Sequence, residues 1–277
     1  MTPRIETLEA PLRVLSLGAG VQSSTLLLMA VHGELQIDRA IFADTQWEPA
    51  ATYAWLETLM PIAERAGIPV DVVTAGNLRT DSLTKPGWLV SIPVHIRADD
   101  GRGAMLPRKC TNGYKLRPLM RRLREWGATA KRPFEVLIGI SLDEAHRMKP
   151  ARVKYIRNEF PLVDHRMSRD DCVRWLADHG YQTPPKSACI GCPFMNDARW
   201  RDMRDNRPAE WADAVDFDQQ VRHAAQMKRP AEAFLHRQLV PLPMVDLRTP
   251  QDRGQIEMFD DVSDGECGAF SCFGGGE

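Results

Sequence analysis

The chain has 277 residues, room for one large domain or one domain with an appendage. Hydrophobic residues make up 43% and charged residues 26%; no apolar run approaches the roughly 20 residues of a bilayer span, and MTPRIETLEAPL has no signal-peptide core, so no membrane partner and a cytoplasmic location are expected. The formal net charge of −1 excludes a polycation, so any contact with tRNA or DNA has to come from a local basic patch.

In chain order, RVLSL over 13–17 reads as a short buried strand and 23–32 as a leucine-rich helix. A second strand covers 39–42 and runs into the polar cluster Ala43, Asp44, Thr45. The next helix lies between Pro49, suited to a first turn, and Gly67, suited to a helix end, with Ala51, Trp55, Leu59, Ile62 and Ala66 at helical spacing. Residues 70–73 form a third strand. The glycine- and proline-rich stretch 76–110 shows little periodicity and reads as a long mobile loop over a site. A helix follows over 114–126 and a strand, FEVLIGI, over 134–140. Ser168 with Asp171 makes a capping box for a helix ending at Gly180, and 197–225 reads as helix with Trp200 and Trp211 as packing residues. From Arg248 the tail is acidic, then glycine-rich, and is expected to be flexible. Strands alternating with helices specify an α/β fold, a doubly wound parallel sheet, with ligands at the carboxyl ends of its strands. The expected organisation is a nucleotide-binding domain over 1–185, a cysteine-containing helical subdomain over 186–246 and a tail over 247–277.

The connection after the first strand, SLGAGVQSST, lacks the endings of a Walker loop and the three spaced glycines of the dinucleotide fingerprint. Gly18 and Gly20 permit a tight turn, and Ser23, Ser24 and Thr25 set hydroxyls and amides at a helix start, where the dipole favours phosphate. The stretch alone fits a phosphate cradle or a plain glycine turn capped by Ser23. It resembles the pyrophosphate loop S-x-S-G-G-x-D-S-T of the adenine-nucleotide alpha-hydrolase superfamily, with Ala19 in place of a glycine and Gln22 in place of an acidic residue. Downstream blocks resemble the phosphoadenosine-phosphosulfate reductase branch in family order: FADTQWEPAATYAWL, RKCTNGYKLRPL, IGISLDEAHRM, FPLVDHRMSRDD and CIGCPF. The resemblance implies a Rossmann-like nucleotide domain in which Ser16, Gly18, Gly20, Gln22, Ser23, Ser24, Asp44, Thr45, Arg108 and Glu144 hold the nucleotide. Lys115 and Arg147 would stand at its phosphates or sulfate, with Glu144 steadying Arg147. Asp44 would orient the nucleotide or magnesium.

Arg108, Lys109 and Lys115 around Cys110, followed by Arg117, Arg121, Arg122 and Arg124 and opposed only by Glu125 before Lys131 and Arg132, read as a basic wall for phosphates or as a solvated helix face. Six cysteines in a reducing compartment point to metal or catalytic use rather than disulfides. Cys189 and Cys192 have the two-residue spacing that lets both thiolates reach one metal. In the resembled family the segment of Cys110 folds back against this pair, which implies that Cys110, Cys189 and Cys192 share a site. Three cysteines suit a 4Fe–4S cluster with one open iron; tetrahedral zinc would need a fourth ligand from His146, His165 or the tail. Lys109 stands where the assimilatory reductases have a second cysteine, so these two blocks cannot supply four cysteines, a departure that resembles the three-cysteine clusters of tRNA-thiolating members of the superfamily. Cys172 reads as a small buried side chain of its helix. Glu266-Cys267-Gly268 resembles the reductases' terminal motif, which would make Cys267 a nucleophile and Cys272 its resolving partner, although Phe270 stands where the motif has histidine.

Two chemistries follow from the resemblance. In one, ATP with magnesium adenylylates an acceptor, and sulfur from a donor displaces AMP. In the other, Cys267 takes the sulfur of an adenylyl sulfate and a thioredoxin-like partner releases sulfite. A non-catalytic ATP-binding accessory role is the third reading, kept open by Ala19 and Gln22.

Overall fold

Most of the parallel strands are short, mainly apolar runs with β-branched residues, as a sheet covered on both faces requires. The computed structural model describes residues 11–85, 92–98, 101–222, 231–248 and 252. Strand β1 (Arg13–Leu17) leads into α1 (Val21–Val31), β2 (Arg39–Asp44), α2 (Ala50–Arg65) and β3 (Val70–Thr74). After α3 (Leu78–Thr84), β4 (His95–Ala98) and β5 (Gly103–Met105), a π-helical turn over Thr111–Leu116 continues as α4 (Arg117–Glu125). Next come β6 (Phe134–Ile138), a 3-10 turn at Leu142–Arg147, β7 (Ile156–Glu159), α5 (Pro161–Asp164), α6 (Arg169–Asp178), α7 (Asp197–Asn206), α8 (Pro208–Val221) and β8 (Ala231–Phe234).

The main sheet has the order β3-β2-β1-β6-β7, and every pairing is parallel. Alternation along the strands divides the core into two layers. Val14, Ile41, Val136 and Phe134 pack with Leu119 and Leu123 of α4, whereas Leu15, Leu17, Phe42 and Leu137 pack with Leu26, Leu27, Trp55, Leu59 and Leu176 of α1, α2 and α6. The doubly wound α/β fold is as expected, and α1 lies at its centre, with Val21 through Met29 all buried.

Several expectations change. The stretch 76–110 is no featureless loop: α3, β4 and β5 occupy part of it, and β4 pairs antiparallel with both β5 and β8. His95 thereby meets Phe234 across this second sheet, joining segments on both sides of the anticipated boundary at 185/186. The helix expected over 197–225 is two, α7 and α8, parted where Pro208 drives Arg207 out of the helical region (φ −133, ψ 64). The strand FEVLIGI ends at Ile138, and α1 starts at Val21 rather than Ser23. Both bonds of the Ser168–Asp171 capping box are present. Trp200 is buried and meets Trp211 edge-on with ring centroids 6.4 Å apart. Among the described residues no helix is long and apolar enough to cross a membrane. Cys267, Cys272 and the glycine-rich tail lie outside the described residues.

Candidate functional site

The chain leaves β1 toward β2 on one side and later returns to β6 on the other, so the strand order reverses at β1. A crevice opens at such a reversal, at the carboxyl ends of the strands. Residues 18–20 turn out of β1 there, and Gly20 (φ −95, ψ −177) has no side chain with which to cap α1. Gly18 N donates to Ser23 Oγ at 3.1 Å, Ser23 Oγ reaches Gly20 O at 3.4 Å, and Ser24 N donates to Gly20 O at 3.0 Å. The Ser23 hydroxyl therefore folds the loop into a closed turn around the helix start. The residue with positive φ is neither glycine but Ala19 (φ 56), the position at which the resembled motif has glycine.

The loop after β6 closes the other side. A Cβ on Gly139 would lie 2.8 Å from Ser23 N and 3.1 Å from Ser23 Cα, so only glycine lets these two backbones meet. Gln22 Nε2 donates to Ser141 Oγ at 3.4 Å and to Glu144 Oε2 at 3.2 Å, and Arg147 pairs with the other oxygen of Glu144. Gln22, Glu144 and Arg147 are thus assembled into one polar wall. With an amide at position 22 the wall holds one carboxylate; with the acidic residue of the resembled motif it would hold two, repelling each other. Ser16 sits within β1, in register with Ile41 and Ile138. Ser24 and Thr25 turn inward: Ser24 Oγ accepts from Trp55 Nε1 at 2.9 Å and Thr25 Oγ1 donates to Val21 O at 2.9 Å. Those two hydroxyls anchor α1.

At the end of β2, Asp44 Oδ1 accepts from Gln46 N at 2.7 Å and Tyr53 Oη at 2.8 Å. Burial, followed by the Asp44 bond, holds the Tyr53 phenol well above its ordinary value, so it remains a donor. Thr45 Oγ1 donates to Glu48 Oε1 at 2.9 Å and lies 3.4 Å from Cys189 Sγ. The Cys189 thiol also reaches Glu48 Oε1 at 3.5 Å, and Lys115 Nζ stands 3.5 Å from the same oxygen. The side chains of Lys115 and Glu48 are only 7% and 1% exposed. Lys115, expected at a phosphate, is therefore an internal ion-pair partner, delivered by the π-helical turn that follows Cys110.

Beside this pair Cys110, Cys189 and Cys192 line one small pocket with Trp47, Leu78, Ile92, Pro93, Phe194 and Arg108. Two contacts hold the Cys-x-x-Cys loop in place: Ile190 N donates to Trp47 O at 3.0 Å, and Gly191 lies flat on the Trp47 indole, where a Cβ would come within 2.1 Å of the ring. Trp47 is fixed in turn by a 2.6 Å bond from Nε1 to Asp213. Arg108 stacks on the half-exposed Phe194 at 4.8 Å. The three thiols, soft donors in a mainly apolar pocket with one cation, have the right chemistry for a thiolate-ligated metal or cluster. Among the described residues no three histidine, cysteine or carboxylate side chains already converge closely enough to hold an ion, so ligation requires the thiols to turn inward. His146 and His165 do not line the pocket.

The expected residues thus fall into two neighbouring groups, the loop wall at β1 and β6 and the thiol pocket beyond β2. The basic residues of α4 belong to neither. Arg122 faces Asp71 and Glu125 at 3.9 and 3.5 Å, Arg121 faces Glu125 at 3.7 Å, and Arg124 stacks on Tyr155, which tempers the positive wall. Sequence reasoning overlooked Glu48 and Trp47. Their signal was a carboxylate and a large aromatic ring beside Pro49 in a strand–helix turn, an unusual place for side chains that end up buried.

No protein-family model and no curated protein sequence matches the chain. Among solved structures it is similar to phosphoadenylyl-sulfate (PAPS) reductase from Candida auris in a phosphate complex, with 14% identity, a TM-score of 0.44 and coverage of 64% of this chain and 76% of that one. It is also similar to the U34-tRNA thiolase NcsA from Methanococcus maripaludis with its [4Fe-4S] cluster, with 14% identity, a TM-score of 0.39 and coverage of 76% of this chain and 73% of that one.

Proposed function

We propose that this chain is an adenine-nucleotide enzyme that activates an acceptor oxygen by adenylylation with ATP and couples this to sulfur transfer at its thiol pocket. The observation that carries the reading is the helix start of α1 at the reversal point, with the Gly139 backbone closed onto Ser23 and the Glu144–Arg147 pair on its flank. Amides at a helix N-terminus, reached closely by a second backbone, suit a polyphosphate. Arg147 and Gln22 would orient it, with Gly18, Gly20 and Ser23 shaping the cradle and Asp44 and Thr45 at the nucleoside side. Magnesium would accompany the triphosphate and offset the charge that grows on the leaving pyrophosphate.

The acceptor oxygen attacks the α-phosphorus as the bond to the β-phosphate breaks. Sulfur at the sulfide level then forms a carbon–sulfur bond while the carbon–oxygen bond breaks and AMP departs, with no net electron transfer. Cys110, Cys189 and Cys192 would hold an iron–sulfur cluster, or zinc in its place. A cluster bound there would supply an iron open to sulfide. The acceptor class we favour is a nucleobase, free or in tRNA or DNA.

Incubation with magnesium and ATP, in the presence of acceptor, should release AMP and pyrophosphate in equal amounts. Release of ADP and phosphate, or no turnover with any acceptor, would contradict the reading. Sulfite formed from adenylyl sulfate and thioredoxin, and lost in Cys267→Ser, would instead support the reductase alternative. Nucleotide binding without either product would favour the accessory role.

A further inference from the structure

The Glu48 carboxylate gathers three elements at one buried oxygen. Thr45 comes from the end of β2, Lys115 from the π-helical turn after Cys110, and Cys189 from the Cys-x-x-Cys loop, all within 3.5 Å of Oε1. Its second oxygen, Oε2, is buried with no hydrogen-bond partner among the described residues. A buried ion pair is a poor way to gain stability, because desolvation cancels most of the attraction, and an apolar pair of the same volume would serve the fold as well or better. This pair stands against one particular thiol of the pocket.

We propose that Glu48 and Lys115 are positioning residues for the thiol site: they fix the approach of Cys189, with Thr45 as the hinge of the contact, so that its sulfur can meet a metal shared with Cys110 and Cys192. The proposal rests on the reading of that pocket as a thiolate metal site. Glu48 holds the Cys189 loop from behind, and Lys115 ties the same carboxylate to the turn that begins at Cys110. One ion pair therefore sets the separation of two ligand-bearing segments that lie about eighty positions apart in the sequence. Outer partners of this kind orient ligands, and removing them typically weakens metal binding by about 10- to 100-fold.

The test is a cobalt(II) titration of the reduced, metal-free full chain, followed through the thiolate-to-cobalt charge-transfer absorbance. The wild type is expected to develop these bands. Cys172→Ala, which alters a thiol on α6 outside the pocket, should leave them unchanged. Glu48→Gln keeps the shape of the side chain, and it should lower cobalt affinity by about 10- to 100-fold while ATP affinity stays within about twofold. Superimposable Glu48→Gln and wild-type titrations would overturn the proposal while leaving the metal site standing. Parallel losses of cobalt affinity, ATP affinity and thermal midpoint would overturn it in favour of a purely structural ion pair. Should Glu48→Gln fail to fold, Glu48→Asp keeps the charge but draws the carboxylate back from Cys189 and Lys115; weaker cobalt binding with ATP affinity within about twofold supports the proposal, and unchanged cobalt binding overturns it. A wild type without thiolate bands refutes the metal reading itself, and with it this inference.

Discussion

At the scale of single residues, the proposed nucleotide loop depends on backbone approach more than on side-chain chemistry. Gly139 is the sharpest case, since both atoms nearest to an added Cβ belong to the Ser23 backbone and cannot swing aside. Gly139→Ala is expected to cost about 1–3 kcal/mol in denaturant unfolding and to weaken ATP binding in the same preparation. An unchanged unfolding midpoint would mean that the two loops do not meet as described. Ala19 behaves differently although it stands in the left-handed region. Relief of about 1 kcal/mol of strain by Ala19→Gly is offset by about 0.5–1 kcal/mol of added chain entropy and by the loss of a buried methyl. The departure from the glycine of the resembled motif is therefore tolerable, and it leaves the loop able to form. Ser24 shows the limit of reading hydroxyls from sequence: its place beside Ser23 suggested a ligand contact, but a helix turns successive residues by about 100°, which points Ser24 at Trp55.

At the scale of elements, what was legible followed from local signals. β1, β2, β3 and β6 are short apolar runs bounded by turn residues, and α6 carries both its start, Ser168 with Asp171, and its stop, Gly180 at φ 76. The second sheet carried no such signal. Its strands are three or four residues long, and β4 finds β8 more than 130 positions later, so neither periodicity nor length marks them. The break at Arg207–Pro208 was readable from proline alone but was hidden by apolar spacing that continues through it. The thiol pocket was legible as three cysteines, and their gathering came from the family resemblance. Glu48 carried only the slight signal of its place beside Trp47 and Pro49; its burial was hidden, because a glutamate before proline in a connection reads as solvent-facing until Lys115 arrives from a different element to meet it.

At the scale of the whole molecule, two histidines give the second sheet a pH response. His236 is buried, with Nδ1 accepting from Gln238 N at 3.2 Å, so Nε2 carries the proton and faces Asp197 at 3.0 Å. Burial is the main cause that lowers the affinity of both His95 and His236 for protons below the ordinary 6.5; positive charge on His236 and Arg237 lowers His95 further, whereas at His236 the effects of burial and Arg237 are opposed by Asp197 and Asp218. The unfolded chain then binds more protons than the folded one as pH falls through 6.5, so stability present at neutral pH is lost on acidification. Thermal midpoints measured from pH 7.5 downward should fall below about pH 6.5, and the fall should shrink in His95→Gln and His236→Gln chains. A profile unaffected by both substitutions would assign the acid sensitivity elsewhere. The sheet reversal at β1, the closed Ser23 turn and the polar wall of Gln22, Glu144 and Arg147 together make a single claim, that an adenine nucleotide lays its phosphates against the start of α1. The most direct measurement is a crystal structure with a non-hydrolysable ATP analogue. The account predicts phosphate density between residues 18–23 and 139–141, with Arg147 in contact; an analogue bound elsewhere while that crevice stays empty would contradict it.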